Sequence, residues 1–186
     1  MIFNHLLSFI MTYLVIIFFI IFFSILILIV GWSIKNGIGP MPTSPKVKRL
    51  LLDHLPKHCK GIIFELGSGW GTLAFSLAKK YPDCSIMAYE NSPVPYGFSK
   101  FLNLFFRHRN LSIKRQDFFD VNLEKGTIII CYLYPEAMKK LKEKFEKELK
   151  PGTLIASHTF SIRGWSAVKI IEVPDIYHSK IYFYVR

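Results

Sequence analysis

The first hydrophobic pattern in the chain is a continuous apolar segment near its beginning. Residues Ile10–Val30 read IMTYLVIIFFIIFFSILILIV, and side-chain polar atoms interrupt this run only at Thr12, Tyr13 and Ser24. At about 1.5 Å per residue, a helix of this length spans roughly 30 Å, the thickness of the hydrocarbon core of a bilayer. A signal peptide would need a basic start, and the opening MIFNHLLSF has no Lys or Arg. The pattern therefore predicts a retained transmembrane anchor, to which we assign residues 1–34.

After the anchor, short apolar runs alternate with amphipathic segments. Apolar or β-branched runs predict strands, whereas apolar residues three or four positions apart predict helices. The expected strands are 61–66, 84–90, 111–115, 127–132, 153–157, 167–173 and 180–185, and the expected helices are 46–55, 72–80, 95–108 and 136–150. This alternation, ending in a hairpin, predicts an α/β fold with an open, mostly parallel sheet and helices on both faces. Because residues 158–166 are too few for a full helix, we expect a trimmed domain of this class.

One of these predicted helices, 95–108, carries a strongly aromatic face. Five of its apolar residues follow the spacing i, i+3, i+4, i+7 and i+8, which places them on one side of a helix. These residues are Phe98, Phe101, Leu102, Phe105 and Phe106.

The charges predict how the anchor is oriented. All 24 basic and 13 acidic residues, which give a formal net charge of +11, lie after residue 34. The positive-inside rule therefore predicts a single-pass protein with residues 35–186 in the cytoplasm. The composition favours a prokaryotic inner membrane and leaves an organelle membrane open. Because basic residues between 35 and 60 would lie against anionic lipid, the bilayer is an expected partner and nucleic acid is not.

The polar part of the chain has the length of one globular domain. Its 152 residues, in a chain that is 51% hydrophobic and 16% aromatic, exclude both disorder and a multidomain protein. Because residues 36–46 are rich in Gly, Pro, Asn and Ser, we expect a juxtamembrane linker and first helix over 35–56 and the main domain over 57–186. The three cysteines form no C-x-x-C pair, so neither disulfides nor a metal are expected.

A glycine-rich turn separates the first predicted strand from the next helix. The sequence FELGSGWG occupies residues 64–71. Glycines there allow a tight turn and close approach of a ligand, and ligands of open α/β sheets bind at the carboxyl ends of the strands. The spacing G-x-G-x-G differs from the dinucleotide motif G-x-G-x-x-G, and no Lys-Ser or Lys-Thr of a P-loop follows. Gly67, Ser68, Gly69 and Gly71 are therefore candidate cofactor-binding residues.

Acidic side chains occur at the ends of three successive strands. Glu65 would disfavour a pyrophosphate but would favour a ligand that carries an ammonium and a sulfonium. Glu90, followed by Asn91, stands where a carboxylate accepts ribose hydroxyls, while Asp117 and Phe118 suit the amino group and the ring of an adenine. S-adenosylmethionine combines these groups and is the predicted cofactor. Alternatives are that Glu65 is a surface carboxylate and that Asp117 caps a short helix.

From about residue 40 to the end, the chain resembles the class I S-adenosylmethionine-dependent methyltransferases, with ELGSGWG as their first motif. It is similar, more narrowly, to the small membrane-anchored protein-lysine methyltransferases of the adenine nucleotide translocase and the ATP synthase c-subunit, and to their prokaryotic relatives. The motifs that carry this resemblance are GPMPTS (39–44), YLYP (132–135), SHTF (157–160) and Gly164-Trp165. The resemblance implies a Rossmann-like seven-stranded domain preceded by one transmembrane helix, and it adds Thr43 to the cofactor-binding set.

The resemblance also implies where the methyl acceptor binds. Tyr132, Tyr134 and Pro135 would occupy the loop beside the transferable methyl, as candidate catalytic residues that accept hydrogen bonds from an amine or hold it against an aromatic face. Phe160 and Trp165 either line the same wall or pack in the core. His158 is either a general base or, more commonly at a strand end, a hydrogen-bonded structural residue.

The predicted function is a membrane-anchored methyltransferase, of the protein-lysine type, that acts on a membrane-associated protein. One alternative is a methyltransferase for a small molecule dissolved in the lipid phase. Another is a catalytically idle S-adenosylmethionine-binding module that helps a membrane complex to assemble. A nucleic-acid methyltransferase is disfavoured, because YLYP stands where such an enzyme has an Asn-Pro-Pro-Tyr-like loop.

Overall fold

The structure, a computed structural model, describes residues 2–186 and divides the chain into a unit that ends at Gly39 and a second unit, Pro40–Arg186. The first unit is a single helix, α1 (Ile2–Asn36). By length and composition alone, its segment Leu7–Asn36 is suited to cross a membrane. The hydroxyls of Thr12 and Ser24 donate to carbonyls four residues earlier, at 2.9 and 2.7 Å. These polar interruptions are therefore satisfied within the helix itself, as a lipid environment would require.

The second unit is a seven-stranded α/β domain, and every predicted element is present with ends within two residues of those expected. Its strands are β1 (Gly61–Leu66), β2 (Cys84–Glu90), β3 (Leu111–Arg115), β4 (Gly126–Cys131), β5 (Leu154–His158), β6 (Lys169–Glu172) and β7 (Lys180–Val185). Its helices are α2 (Pro45–His54), α3 (Thr72–Lys80), α4 (Pro93–Phe106) and α5 (Pro135–Glu148), with a short 3₁₀ turn at Phe118–Asp120.

The strand order is β3-β2-β1-β4-β5-β7-β6. Strands β1 to β5 are parallel, and β7 is antiparallel to both of its neighbours. The predicted Rossmann-like fold is thereby confirmed. The chain adds β2 and β3 on one side of β1 and then returns to add β4 on the other side. The strand order therefore reverses between β1 and β4, and ligands of such sheets bind at that point.

The sheet is covered on both faces. Successive residues of β4 alternate between the two layers: Ile128 and Ile130 belong to the core beneath α2 and α3, whereas Ile129 and Cys131 belong to the core beneath α5. This alternation follows from the two-residue period of a strand, and burial on both faces is typical of parallel sheets. Residues 159–168, between β5 and β6, contain no helix, as expected.

Helix α4 packs in an unexpected direction. Its buried side chains are the small residues Pro95 and Ser99. Most of the predicted aromatic face is exposed instead, together with a leucine that the periodicity did not include. The exposed apolar residues of this helix are Phe98, Phe101, Leu104, Phe105 and Phe106.

Candidate active site

The glycine-rich turn lies over the carboxyl end of β1. The backbone N–H groups of Gly67 and Ser68 both donate to the carbonyl of Tyr89 in β2, at 2.9 Å each. Gly67 and Gly69 have φ values of 76° and 52°, in the left-handed region that favours glycine. A Cβ on Gly67 would lie 2.9 Å from Cδ2 of Leu133, whereas a Cβ on Gly69 would meet nothing within 4 Å. The turn is therefore closed against Leu133 and open at Gly69, where a ligand can approach the backbone.

Glu65 is the most perturbed ionisable group of the site. Its side chain is buried, and its Oε2 atom has no hydrogen-bond partner among residues 2–186. Burial, and secondarily the charge of Glu90, raises the pKa of Glu65 from 4.5 to about 8. Glu65 is therefore not a surface carboxylate. A buried carboxyl oxygen without a partner is unfavourable in the free protein and gains from a cationic ligand.

Glu90 braces the glycine-rich turn from the end of β2. It is buried, its Oε2 accepts the N–H of Gly69 at 2.8 Å, and its Oε1 accepts the N–H of Ser92 at 2.7 Å. Each carboxylate oxygen can accept a second hydrogen bond, so these contacts leave capacity for ligand hydroxyls. Asn91, which follows, is half-buried. Glu65 and Glu90 together line this side of the site with two carboxyl groups.

Trp70 connects the glycine-rich turn to the segment before α2. Its indole N–H donates to the carbonyl of Pro40. Its ring meets Phe98 edge-on, with ring centroids 5.4 Å apart. Thr43 is half-buried and follows Pro40 by three residues, so its Cα lies within about 11 Å of that of Pro40. This contact keeps Thr43 near the turn.

Asp117 has a structural role in the free protein. Its Oδ1 accepts the N–H of Phe119 at 3.0 Å and caps the short 3₁₀ turn. Asp117 therefore caps the short helical turn, which was one of the two roles expected from the sequence. Its carboxylate can still accept further hydrogen bonds. Phe118 is half-buried, packs against the core beneath α5 and lies 4.6 Å from the ring of Phe119. Any contact of these residues with an adenine stays a prediction.

The residues predicted to form the acceptor side follow β4, and His158 ends β5. Because Cys131 pairs with Ser157 in these parallel strands, the residues that follow each of them, Tyr132 and His158, come to lie together. Their ring centroids are 4.2 Å apart with an interplanar angle of 45°. Topology thus juxtaposes two residues that are far apart in the sequence.

His158 is buried, and neither of its ring nitrogens has a hydrogen-bond partner in the described part of the chain. Burial lowers the pKa of His158 from 6.5 to about 4, against the opposing effect of Asp175. The imidazole is therefore uncharged at neutral pH and is a weak proton acceptor. It is also not the hydrogen-bonded structural histidine that its strand-end position favoured.

The turn after β5 holds His158 in place. The Ser157 hydroxyl donates to the carbonyl of Phe160 at 2.6 Å, and Thr159 has a φ of 68°. A non-glycine residue in this region stores strain of the kind found at functional sites. Phe160 packs against the core beneath α5. The indole N–H of Trp165 donates to Oε1 of Glu146 in α5 at 3.0 Å. Trp165 therefore packs against α5.

Tyr134 and Pro135 lie where α5 begins. Tyr134 is the N-cap residue and Pro135 the first helical residue, a position that tolerates the missing N–H of proline. The carbonyl of Tyr134 accepts the N–H of Met138 at 3.1 Å. Tyr134 is half-buried and Pro135 is exposed. Tyr132 therefore contacts the buried, unpartnered His158, whereas Tyr134 and Pro135 form the beginning of α5.

The residues present fit S-adenosylmethionine. Two buried polar atoms of the turn region, Glu65 Oε2 and Ser68 Oγ, have no partner within residues 2–186. The amino acid end of S-adenosylmethionine carries an ammonium and a carboxylate. The ammonium can donate to Glu65 Oε2, and the carboxylate can accept from Ser68 Oγ. The space open at Gly69 lets that end approach the backbone.

Sequence reasoning gave too little importance to two residues. Leu133 closes the glycine-rich turn, and its place inside the YLYP motif was the available signal. The role of His158 depends on the pairing of β4 with β5, which adjacent residues in the sequence do not reveal.

Comparison with known proteins agrees with this geometry. The sequence model of a family described as the ANTKMT methyltransferase domain matches residues 65–169. A protein-lysine N-methyltransferase of Saccharolobus islandicus (strain REY15A) is 32% identical over 149 residues, which are 78% of this chain and 91% of that protein.

Two solved structures share the fold. An RNA methyltransferase from Salinibacter ruber, in complex with S-adenosyl-L-homocysteine, has a TM-score of 0.69 at 21% identity and covers 78% of this chain and 93% of its own. The precorrin-6y C5,15-methyltransferase of Geobacter metallireducens GS-15 has a TM-score of 0.62 at 13% identity, with 78% and 89% covered. At these identities the two structures show the fold alone.

Proposed function

The chain belongs to the ANTKMT methyltransferase family and is an S-adenosylmethionine-dependent methyltransferase, and on this premise we propose that it methylates lysine side chains of a membrane-associated protein. The observation that carries the proposal is the 32% identity to a protein-lysine N-methyltransferase across 91% of that protein's length. The uncharged, partly buried acceptor side built by Tyr132 and His158 is consistent with an amine substrate.

We assign the cofactor contacts by matching chemistry to the described atoms. Glu65 and Ser68 would hold the amino acid end, over a turn that packs tightly against protein at Gly67 and Gly71 and leaves space for the ligand at Gly69. We further assign Glu90 with Asn91 to the ribose and Asp117 with Phe118 to the adenine. Thr43, in the segment before α2, is assigned as one more cofactor-binding residue. The support is the capacity of each group to accept or pack, as described above.

The proposed mechanism depends mainly on positioning. When bound, S-adenosylmethionine supplies a methyl group that its sulfonium already activates, so aligning the acceptor can provide much of the acceleration. Tyr132 would hold the amine beside its half-buried ring. A lysine ammonium that leaves water for such a wall loses part of its solvation, which lowers its pKa and favours the nucleophilic neutral amine. His158, uncharged at neutral pH, adds no positive charge there and offers a ring nitrogen for a hydrogen bond.

We propose further that α1 anchors the enzyme in a membrane as a single-pass helix, with the methyltransferase domain in the cytoplasm. The support is the length and apolar composition of Leu7–Asn36 and the placement of all Lys and Arg residues from Lys35, in the last turn of α1, onward. Such an anchor raises the effective concentration of membrane-bound substrates. We favour a prokaryotic inner membrane over that of an organelle.

The proposal is tested by incubating isolated membranes with the purified chain and S-adenosylmethionine labelled in its methyl group. The label should appear in a protein band that protease removes, and mass spectrometry should place it on lysine. Label that extracts into organic solvent would contradict the proposal and favour a lipid-phase small molecule. Absence of transfer with intact binding of S-adenosylhomocysteine would instead indicate an idle binding module. The Glu65→Gln variant serves as the control with impaired cofactor binding.

A further inference from the structure

Helix α4 presents an apolar face to solvent on a domain that is otherwise well packed. We define the α4 face as Phe98, Phe101, Leu104 and Phe105, whose exposed fractions are 47%, 55%, 66% and 68%. At 100° per residue these positions share one side of the helix, opposite the buried Pro95 and Ser99. Phe106 is exposed as well, but its ring contacts Phe75 at 5.2 Å and belongs to the side near α3.

The α4 face is large for a surface that remains in water. An aromatic side chain covers roughly 150–250 Å² when buried, so three half-exposed phenylalanines and a leucine leave on the order of 400 Å² of apolar surface. Contiguous patches of this size on soluble proteins mark sites of interaction with proteins or membranes. The question is therefore which partner covers the face.

The charges around the α4 face favour an anionic lipid surface. Lys100 lies within the helix, and Arg107 and Arg109 follow its end; all three are exposed. The stretch 91–116 contains no Asp or Glu. Phenylalanines flanked by Lys and Arg, without acidic residues, are the composition of helices that lie in the plane of a bilayer interface.

The connection to α1 gives a second reason to choose lipid. Eight residues, 37–44, separate the end of α1 from the start of α2. At no more than about 3.5 Å per residue, this connection cannot exceed about 28 Å. With α1 in a bilayer, the domain is therefore always close to the membrane surface, and a lipid partner is present at high effective concentration.

We propose that the α4 face is a membrane-docking surface, which inserts its phenylalanines into the interface of an anionic bilayer while Lys100, Arg107 and Arg109 meet lipid phosphates. Docking through α4 gives the methyltransferase domain a second contact with the bilayer in addition to α1. It orients the active site relative to the membrane, because Trp70 of the glycine-rich turn contacts Phe98. The docking surface is independent of which group accepts the methyl.

The test uses the full chain reconstituted in phosphatidylcholine vesicles with or without phosphatidylglycerol. A thiol-reactive fluorophore is placed at Phe101→Cys or at Ile176→Cys, each in a Cys59→Ser background that leaves only buried native cysteines. Ile176 is the matched control because it is 85% exposed and apolar, in the β6–β7 connection at the opposite edge of the sheet from β3. Binding of S-adenosylhomocysteine, measured separately, verifies that each variant is folded.

With phosphatidylglycerol present, we expect a nitroxide-labelled lipid to quench the probe at 101 severalfold more than the probe at 176, and aqueous iodide to show the reverse order. Removing phosphatidylglycerol, or introducing Lys100→Glu with Arg107→Glu, should reduce quenching by the lipid at 101. Equal quenching at the two positions would overturn the assignment to α4. Protection of position 101 from both quenchers would also overturn it, since the face would then be covered by protein. If quenching at position 101 were the same with and without phosphatidylglycerol, the proposal of an anionic partner would be refuted.

Discussion

At Glu65, a single carboxyl group links cofactor binding to pH. Burial and the charge of Glu90 hold its pKa near 8, so the free protein carries a neutral acid below that pH. An ammonium next to the unpartnered Oε2 favours the ionised form and lowers this pKa. We therefore predict that S-adenosylhomocysteine binding at pH about 6.5 releases up to one proton and that affinity rises as the pH approaches 8. Calorimetry in two buffers of different ionisation enthalpy measures this proton.

The variant Glu65→Gln is the control for this prediction. It should bind about ten- to a hundredfold more weakly, since a hydrogen bond to a charged group contributes about 1.5–3 kcal/mol, and it should release no proton. In the free protein, the raised pKa of Glu65 means that its contribution to the free energy of unfolding is complete below pH 4.5 and is lost as the pH rises through about 8. Equal proton release by both proteins would assign the ionisation to another group.

At His158, we predict a role in holding the acceptor that is separable from cofactor binding. His158→Gln keeps a hydrogen-bonding group, whereas His158→Leu removes it. If a ring nitrogen contacts the amine, the leucine variant should lose about fivefold in kcat relative to the glutamine variant, because one hydrogen bond contributes about 1 kcal/mol. Steady-state kinetics gives this ratio, with S-adenosylhomocysteine affinity expected to be unchanged. Equal activity of the two variants would mean that His158 only fills space beside Tyr132.

The low pKa of His158 also predicts how stability depends on pH at this residue. Because its pKa in the folded protein, about 4, lies below the unfolded value of 6.5, protonation favours the unfolded chain. The contribution of His158 to stability is therefore present above pH 6.5 and declines as the pH falls toward 4.

Individual residues became candidates where chemistry and position coincide. Glu65 and Glu90 were chosen because each lies at the carboxyl end of a strand, and the glycines because they directly follow β1; their contacts with a ligand stay predictions. Asp117 was ambiguous, since the same residue type both caps a turn and binds a ligand, and the sequence does not say which hydrogen bond forms. His158 was undervalued because its burial and its contact with Tyr132 arise from strand pairing.

At the scale of elements, a substitution in the glycine-rich turn can separate an effect on protein stability from an effect on ligand binding. At Gly69 a Cβ meets nothing within 4 Å and φ is 52°. An alanine there costs roughly 1–2 kcal/mol of backbone strain but points into the space where the ligand must approach. We predict that Gly69→Ala keeps a folded protein with a modestly lower Tm and binds S-adenosylhomocysteine at least about tenfold more weakly. Thermal denaturation and calorimetry measure the two effects.

Gly152 provides the matched control for this turn. It has a φ of 89° and also nothing within 4 Å of an added Cβ, but it lies between α5 and β5. Gly152→Ala should therefore lower Tm through backbone strain and leave ligand affinity unchanged. If Gly69→Ala bound as tightly as Gly152→Ala, the turn would not be the ligand cradle.

Periodicity predicted where helices lie better than which face they bury. In α5 the two agree, because Ala137, Leu141 and Phe145 face the core as their spacing implies. In α4 the aromatic spacing identified a real face but not its direction. The buried side of α4 has the small residues Pro95 and Ser99 because it approaches the glycine-rich turn closely: a Cβ on Gly71 would lie 2.9 Å from the Cβ of Ser99. Large aromatics do not fit in that space, so they point outward.

At the scale of the whole molecule, the chain consists of two segments of different composition. The residues before 35 include no Lys, Arg, Asp or Glu, and nearly all of the charges that follow belong to a domain with its own two-sided core. The compositions of the two segments therefore suit different environments, although the structure divides the chain after Gly39 rather than after residue 34. The sequence does not reveal the exposed apolar α4 face, for which we propose membrane docking. Its exposure depends on which surface the folded domain leaves uncovered.

A truncation separates the contribution of the anchor from that of the active site. The unit Pro40–Arg186 contains the whole sheet and every proposed cofactor contact. We predict that this fragment binds S-adenosylhomocysteine as the full chain does and methylates a soluble lysine peptide at an equal rate. On a substrate embedded in vesicles it should be slower by about a hundredfold or more, because tethering contributes effective concentration rather than new contacts. Replacing α1 by an unrelated apolar helix should restore the rate, since only membrane attachment is required. Equal rates of fragment and full chain on the embedded substrate would refute the role of α1 as an anchor and leave the chemistry of the site unaffected.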